Sequence, residues 1–121
     1  KLTPAQARGK EIFERTVTRT GAPIPAINRC VTCHPEPDGT NLRTFDVGTT
    51  SPFDKSPWES SEGFDTPQLN AIVMSAPYLH DGKAQTLEEI WTLYSPDDRH
   101  GMTSDLGKEG LNDLIEYLKT F

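Results

Sequence analysis

Cysteine is almost missing from this chain, which has only Cys30 and Cys33 in 121 residues. A disulfide framework is thereby excluded, because two thiols three positions apart would close only a strained small loop. Long apolar runs are lacking too, and no stretch approaches the roughly 20 residues needed to span a bilayer. The opening KLTPAQARGK has no apolar signal-peptide core. Basic residues are outnumbered, 12 Lys and Arg against 18 Asp and Glu for a net charge of −6, so there is no basic excess to meet nucleic acid or an anionic membrane. Apolar residues make up only 34%, while 9 Gly and 10 Pro imply much irregular loop. Such a chain has room for one domain, residues 1–121, around a core that its own side chains fill poorly.

Against these absences stands one dense motif, NRCVTCHPEP at residues 28–37. A thioredoxin-like redox pair would need a βαβ setting, and the preceding TRTGAPIPAINR is a Gly/Pro-rich loop. A structural zinc site would need two more ligands nearby, but His80 and His100 lie far down the chain and apart from each other. Cys-x-x-Cys-His suits covalent attachment of one haem c, with Cys30 and Cys33 forming thioethers and His34 ligating the iron from one face. Haem would also supply the missing apolar core, so the haem-free chain is expected to fold poorly. Attachment of this kind takes place outside the cytoplasm. The expected location is therefore periplasmic or otherwise extracytoplasmic, with an export signal removed or the chain a piece of a longer exported protein. The acidic surface favours a redox partner with a basic or neutral docking surface, and serves solubility equally well.

Helices are predicted at both ends. In LTPAQARGKEIFERTV, Thr3 is the N-cap, Pro4 the first helical residue and Gln6 the closing member of a capping box. In GKEGLNDLIEYLKTF, Leu111, Leu114, Ile115, Leu118 and Phe121 share one face. The two should cross at Gly9, with Phe13 packing on Leu114 or Tyr117. Two shorter helices are expected at DTPQLNAIVMS, started by Thr66 and Pro67, and at TLEEIWTLYSP, capped by Thr86 and Glu89 and stopped by Pro96. Residues 35–63 read as a long loop with an extended piece near Leu42 to Val47. Such a loop needs a reason, and wrapping a haem edge would be one, with Arg43, Lys55 and Trp58 as propionate donors.

This order of elements resembles a class I cytochrome c domain. The segments FDVGT and FDTPQLNAIVMSAPYLHDGKAQTLEEIWTLY, with the C-terminal helix, are similar to the C-terminal haem domain of the bacterial dihaem cytochrome c peroxidase family and its methylamine-utilisation relatives. SPDDRHGMTSDL resembles cytochrome domains at the tail of larger exported proteins related to that family. The resemblance implies a mainly α fold of four to five helices wrapped around one covalently bound haem, with a long loop insertion. The family carries two haem domains and this chain one attachment motif. It thus corresponds to the electron-transferring half, and peroxidase activity by this chain alone is not expected.

The second axial ligand is left open by the sequence. Met102 comes first, since a thioether raises the potential and its position ahead of the last helix resembles that in class I domains. His100 is second. Tyr94, third, matches the axial position of the peroxidases and their relatives, and also completes the apolar face of its helix. His80, near the haem by resemblance but not a ligand in the family, and an open site complete the alternatives; Met74 reads as core. A six-coordinate iron favours single-electron transfer, as a carrier or as a redox domain of a larger complex. An open or Tyr-ligated iron favours a peroxidase-like enzyme or small-ligand-binding protein, and a domain merely stapled by haem is a third reading.

Overall fold

The chain starts with the capping box expected of it: the Thr3 side chain accepts from the Gln6 N–H while Gln6 Oε1 accepts from the Thr3 N–H. Helix α1 then runs Pro4–Glu14. The computed structural model describes residues 1–51, 54 and 63–121. Among these, α2 is a single turn, Cys30–Cys33, α3 is Leu87–Thr92 and α4 is Lys108–Leu118. Short 3-10 turns cover Ala26–Asn28, Ile72–Met74 and Pro96–Asp98. The architecture is mainly helical, and no described helix is long and apolar enough to cross a membrane.

Helices α1 and α4 form the principal helix pair. A Cβ at Gly9 would lie 1.9 Å from the Asp113 carbonyl oxygen, so glycine is what lets the two backbones meet. Arg8 clasps the same Asp113 at 2.7 Å. One turn on, Phe13 packs its ring 5.4 Å from Tyr117 and 5.6 Å from Phe121. Leu114, Tyr117 and Leu118 of α4 join Phe13, Leu69, Tyr78, Ala84, Leu87 and Ile90 in the core.

Two expectations are corrected here. DTPQLNAIVMS does not form a helix. The Thr66 N–H and hydroxyl both donate to the Arg43 carbonyl, extending the two-stranded antiparallel pair β1 (Thr44–Phe45) and β2 (Phe64–Asp65), so Thr66 is not free to cap. Ala71 then turns left-handed at φ 56°, leaving only the 3-10 turn. Met74, read as core, is 82% exposed. The extended piece near Leu42 to Val47 does appear, shortened to β1. Helix α3 begins as expected at Thr86 but ends at Thr92, so Tyr94 lies beyond it, with Lys83 Nζ 5.2 Å over its ring.

Candidate functional site

Helical spacing places Cys30 and Cys33 on one side of the single turn α2. Both are free thiols lining a cavity of about 380 Å³, together with His34. The walls are largely apolar, from Phe13, Leu87, Ile90, Leu114 and Leu118 among others. Burial pushes the Cys30 thiol up to about 11 and raises that of Cys33. Neither has the lowered pKa that a thiol-exchange centre uses.

His34 follows α2 and is fixed by its Nδ1, 2.6 Å from the Gly39 carbonyl oxygen. A carbonyl only accepts, so Nδ1 carries the proton and Nε2 keeps the lone pair. Burial lowers the His34 pKa against the opposing pull of the Gly39 and Pro67 carbonyls. The imidazole is neutral at pH 7.

His100 and His80 also line the cavity, and of these His100 is the one whose ring lacks a hydrogen-bond partner among the described residues. It comes from the irregular segment 95–106, which turns through two left-handed residues, Asp97 at φ 53° and Asp98 at φ 57°. Side chains hold this segment from several directions. Trp91 Nε1 donates to the His100 carbonyl at 2.9 Å, and Ser95 Oγ accepts from the His100 N–H. Asp98 accepts from the Thr103 and Ser104 N–H groups and the Ser104 hydroxyl. Gly101, at φ 78°, passes so close that a Cβ would sit 3.4 Å from Cys30 Sγ. Burial, and secondarily the repulsion His34 would exert once protonated, pushes the His100 pKa down to about 4. Its Nδ1 is buried with no hydrogen-bond partner among the described residues.

The other predicted site residues fall elsewhere. Met102 and Tyr94 are not among the described residues that line the cavity. Both polar backbone groups of Met102 are engaged, the N–H with the Asn28 carbonyl and the carbonyl with Arg15. His80 does line the cavity, but its ring stacks on Phe64 at 3.6 Å and its Nε2 pairs with Asp54 at 3.0 Å. Of the three suggested propionate donors, Arg43 is exposed and is not among the residues lining the cavity, while Lys55 and Trp58 lie outside the described residues. Arg29 and Arg99 line the cavity instead, Arg99 held by Asp46 at 2.8 Å. Sequence reasoning passed over both, although each directly precedes a motif residue, Cys30 or His100.

Among the described residues no three His, Cys, Asp or Glu side chains converge on a metal position. Two imidazoles and two thiols would suit zinc only if they converged on one point, and here they do not; spread along an apolar cavity, they fit a macrocycle that brings four ligands of its own. The orphaned ring nitrogen of His100 agrees, since a buried unpaired polar atom costs about 1–3 kcal/mol unless something engages that ring. The residues present therefore fit a haem.

With the curated protein hydrazine synthase subunit gamma of Kuenenia stuttgartiensis, the chain shares 34% identity over 155 aligned residues, covering 98% of this chain and 41% of that one. Over its whole length this chain is similar to part of the hydrazine synthase gamma subunit. A solved chain of Kuenenia stuttgartiensis hydrazine synthase, pressurised with xenon, has the same arrangement at a TM-score of 0.76 and 30% identity, over 100% of this chain and 47% of that one. The chain thus spans less than half the length of the hydrazine synthase chains it matches. A MauG-like protein associated with microbial copper homeostasis shares the fold, with a TM-score of 0.59 at 21% identity over 99% of this chain and 44% of that one. No family model matches.

Proposed function

We propose that this chain carries one haem c, bound covalently by Cys30 and Cys33 and ligated by His34 on one face and His100 on the other, and that it transfers single electrons. The observation that carries this reading is the convergence of His34 and His100, both neutral, on one apolar cavity edged by the two thiols. Cys30 and Cys33 would each add their S–H across a vinyl double bond, a redox-neutral attachment. When bound, haem supplies an iron that changes oxidation state by one electron. The protein's part is to hold two imidazoles in fixed positions, to exclude water with Leu87, Ile90 and Leu114, and to place cations near the cavity through Arg29 and Arg99.

His34 and His100 would together saturate a bound iron, which would favour electron transfer over peroxide or gas chemistry, since those need an open position. The length of the similar chains supports a redox domain working within a larger exported assembly. The acidic chain suits a partner with a basic or neutral docking surface.

The test is mass and spectrum. Protein matured in a periplasm should carry the mass of one added haem and give a six-coordinate low-spin spectrum without the weak far-red band of methionine on ferric haem. His100→Ala should turn it high-spin and able to bind carbon monoxide, whereas Met102→Ala should leave it unchanged. A bare polypeptide mass would sink the proposal. A far-red band abolished by Met102→Ala would transfer the ligand role to Met102.

A further inference from the structure

Two candidate ligands stand two residues apart in one segment, yet only His100 lines the cavity. A grip on this segment comes from outside it, at the C-terminus of α1. Arg15, with its side chain only 13% exposed, caps that helix and turns its guanidinium onto 102–105. Its two terminal nitrogens bond both carboxylate oxygens of Asp105 at 2.8 and 2.5 Å, and one also donates to the Met102 carbonyl at 2.9 Å. The Arg19 N–H adds a third bond to the Asp105 carboxylate at 2.9 Å. From the other side the Asn28 carbonyl accepts from the Met102 N–H at 2.8 Å, and Asn28 Nδ2 donates to the Asp98 carbonyl at 3.0 Å. Asn28 sits two residues before Cys30, so this clasp ties the segment to the haem-attachment turn.

We infer that Arg15 is a positioning residue that selects His100 rather than Met102 as the second axial ligand, by pinning the Met102 backbone between α1 and Asn28. The inference rests on the haem reading above. A guanidinium can hold a carboxylate in a two-pronged grip and a carbonyl at once; an ammonium is a point charge and cannot reproduce that geometry. With the grip removed, the segment is held on one side only. It can then shift along its length, releasing His100 and letting the Met102 sulfur approach.

The experiment uses the full haem-loaded chain and compares wild type, Arg15→Gln and Arg15→Lys. Arg8→Gln serves as control, since it removes an α1 to α4 ion pair of similar kind that does not touch the segment. Arg15→Gln should show the far-red methionine band in part of the ferric population, or carbon monoxide binding to the ferrous form at least about tenfold faster than in wild type. Arg15→Lys should show the same change to a smaller degree, and Arg8→Gln none. Adding Met102→Leu to Arg15→Gln should abolish any far-red band. If Arg15→Gln does not accumulate folded, Arg15→Lys decides alone. A wild-type spectrum and wild-type carbon monoxide kinetics in the Arg15 variants overturn the inference, as does an equal effect in Arg8→Gln. Failure of the haem reading shows separately, in wild type itself, as a missing haem mass, whereas a methionine band in haem-loaded wild type overturns the inference.

Discussion

The Nδ1 of His34 lies 2.6 Å from the carbonyl oxygen of Gly39, so the turn after the attachment motif fixes the tautomer of the imidazole beside it. Gly39 adopts φ 71°, and a Cβ there would press to 2.8 Å from Leu69 Cβ. Gly39→Ala should cost about 2 kcal/mol through the left-handed backbone and the overlap. It should also loosen the bond to His34. A weaker acceptor makes the imidazole a poorer donor to ferric iron, so the reduction potential should rise. Thermal melts and redox titration check the two effects separately, and an unchanged potential would mean that this carbonyl does not tune the ligand.

Gly9 sets up a contest between two magnitudes. In an isolated helix, Gly→Ala gains about 1 kcal/mol. Here the new methyl would meet the Asp113 carbonyl at 1.9 Å and the Tyr117 Cβ at 2.7 Å. Neither neighbour is a flexible side-chain end, so α1 and α4 must separate, at a cost of about 3 kcal/mol that outweighs the gain. Gly9→Ala should therefore destabilise by about 2 kcal/mol in denaturant titration. A stabilised variant would show that the helices do not cross where described.

The features legible in the sequence are those set by local chemistry. The Thr3 and Thr86 caps, the Gly9 crossing and the contact of Phe13 with Tyr117 each follow from residue type and spacing, and each is present. Thr66 and Pro67 carried an equally good start signal and failed, because the strand pair claimed the Thr66 hydrogen bonds first. That is a tertiary contact with no local signature. Spacing could not order Met102 and His100 either: what separates them is the Arg15 grip, made across 87 to 90 residues of chain. Nor did Asp97 and Asp98 announce the left-handed turn that presents His100.

Asp105 makes the anchoring of this segment sensitive to acid. The Arg15 guanidinium, with the Arg19 N–H, holds its carboxyl below the ordinary 3.8. Between the lowered value and 3.8 the unfolded chain binds a proton that the folded chain refuses. The stabilisation is therefore complete above the unfolded value and is lost as pH falls through the folded one. Asp105→Asn should be less stable than wild type at neutral pH, and the gap should close on acidification below pH 3.8. Denaturant midpoints along a pH series give the comparison; a constant gap would show that the carboxylate charge contributes nothing.

The cavity itself makes the strongest demand on the fold. Its walls are mostly apolar, and with nothing bound they stand against water, forfeiting about 25 cal/mol for each Å² that a bound macrocycle would cover. Domains of this size have roughly 5–15 kcal/mol in total. The α1 and α4 pair has packing of its own at Gly9, Phe13 and Tyr117, whereas Leu87 and Ile90 of α3 face the cavity. Chain made without haem attachment, as in Cys30→Ala/Cys33→Ala, should therefore keep part of its helical far-ultraviolet signal and lose the near-ultraviolet signal of fixed aromatic packing. It should melt without a cooperative transition. Adding haem to that variant should restore some cooperativity, because His34 and His100 remain. A sharp melt in the haem-free variant, with the near-ultraviolet signal intact, would mean that side chains close the cavity unaided and that nothing needs to be bound there for the chain to fold.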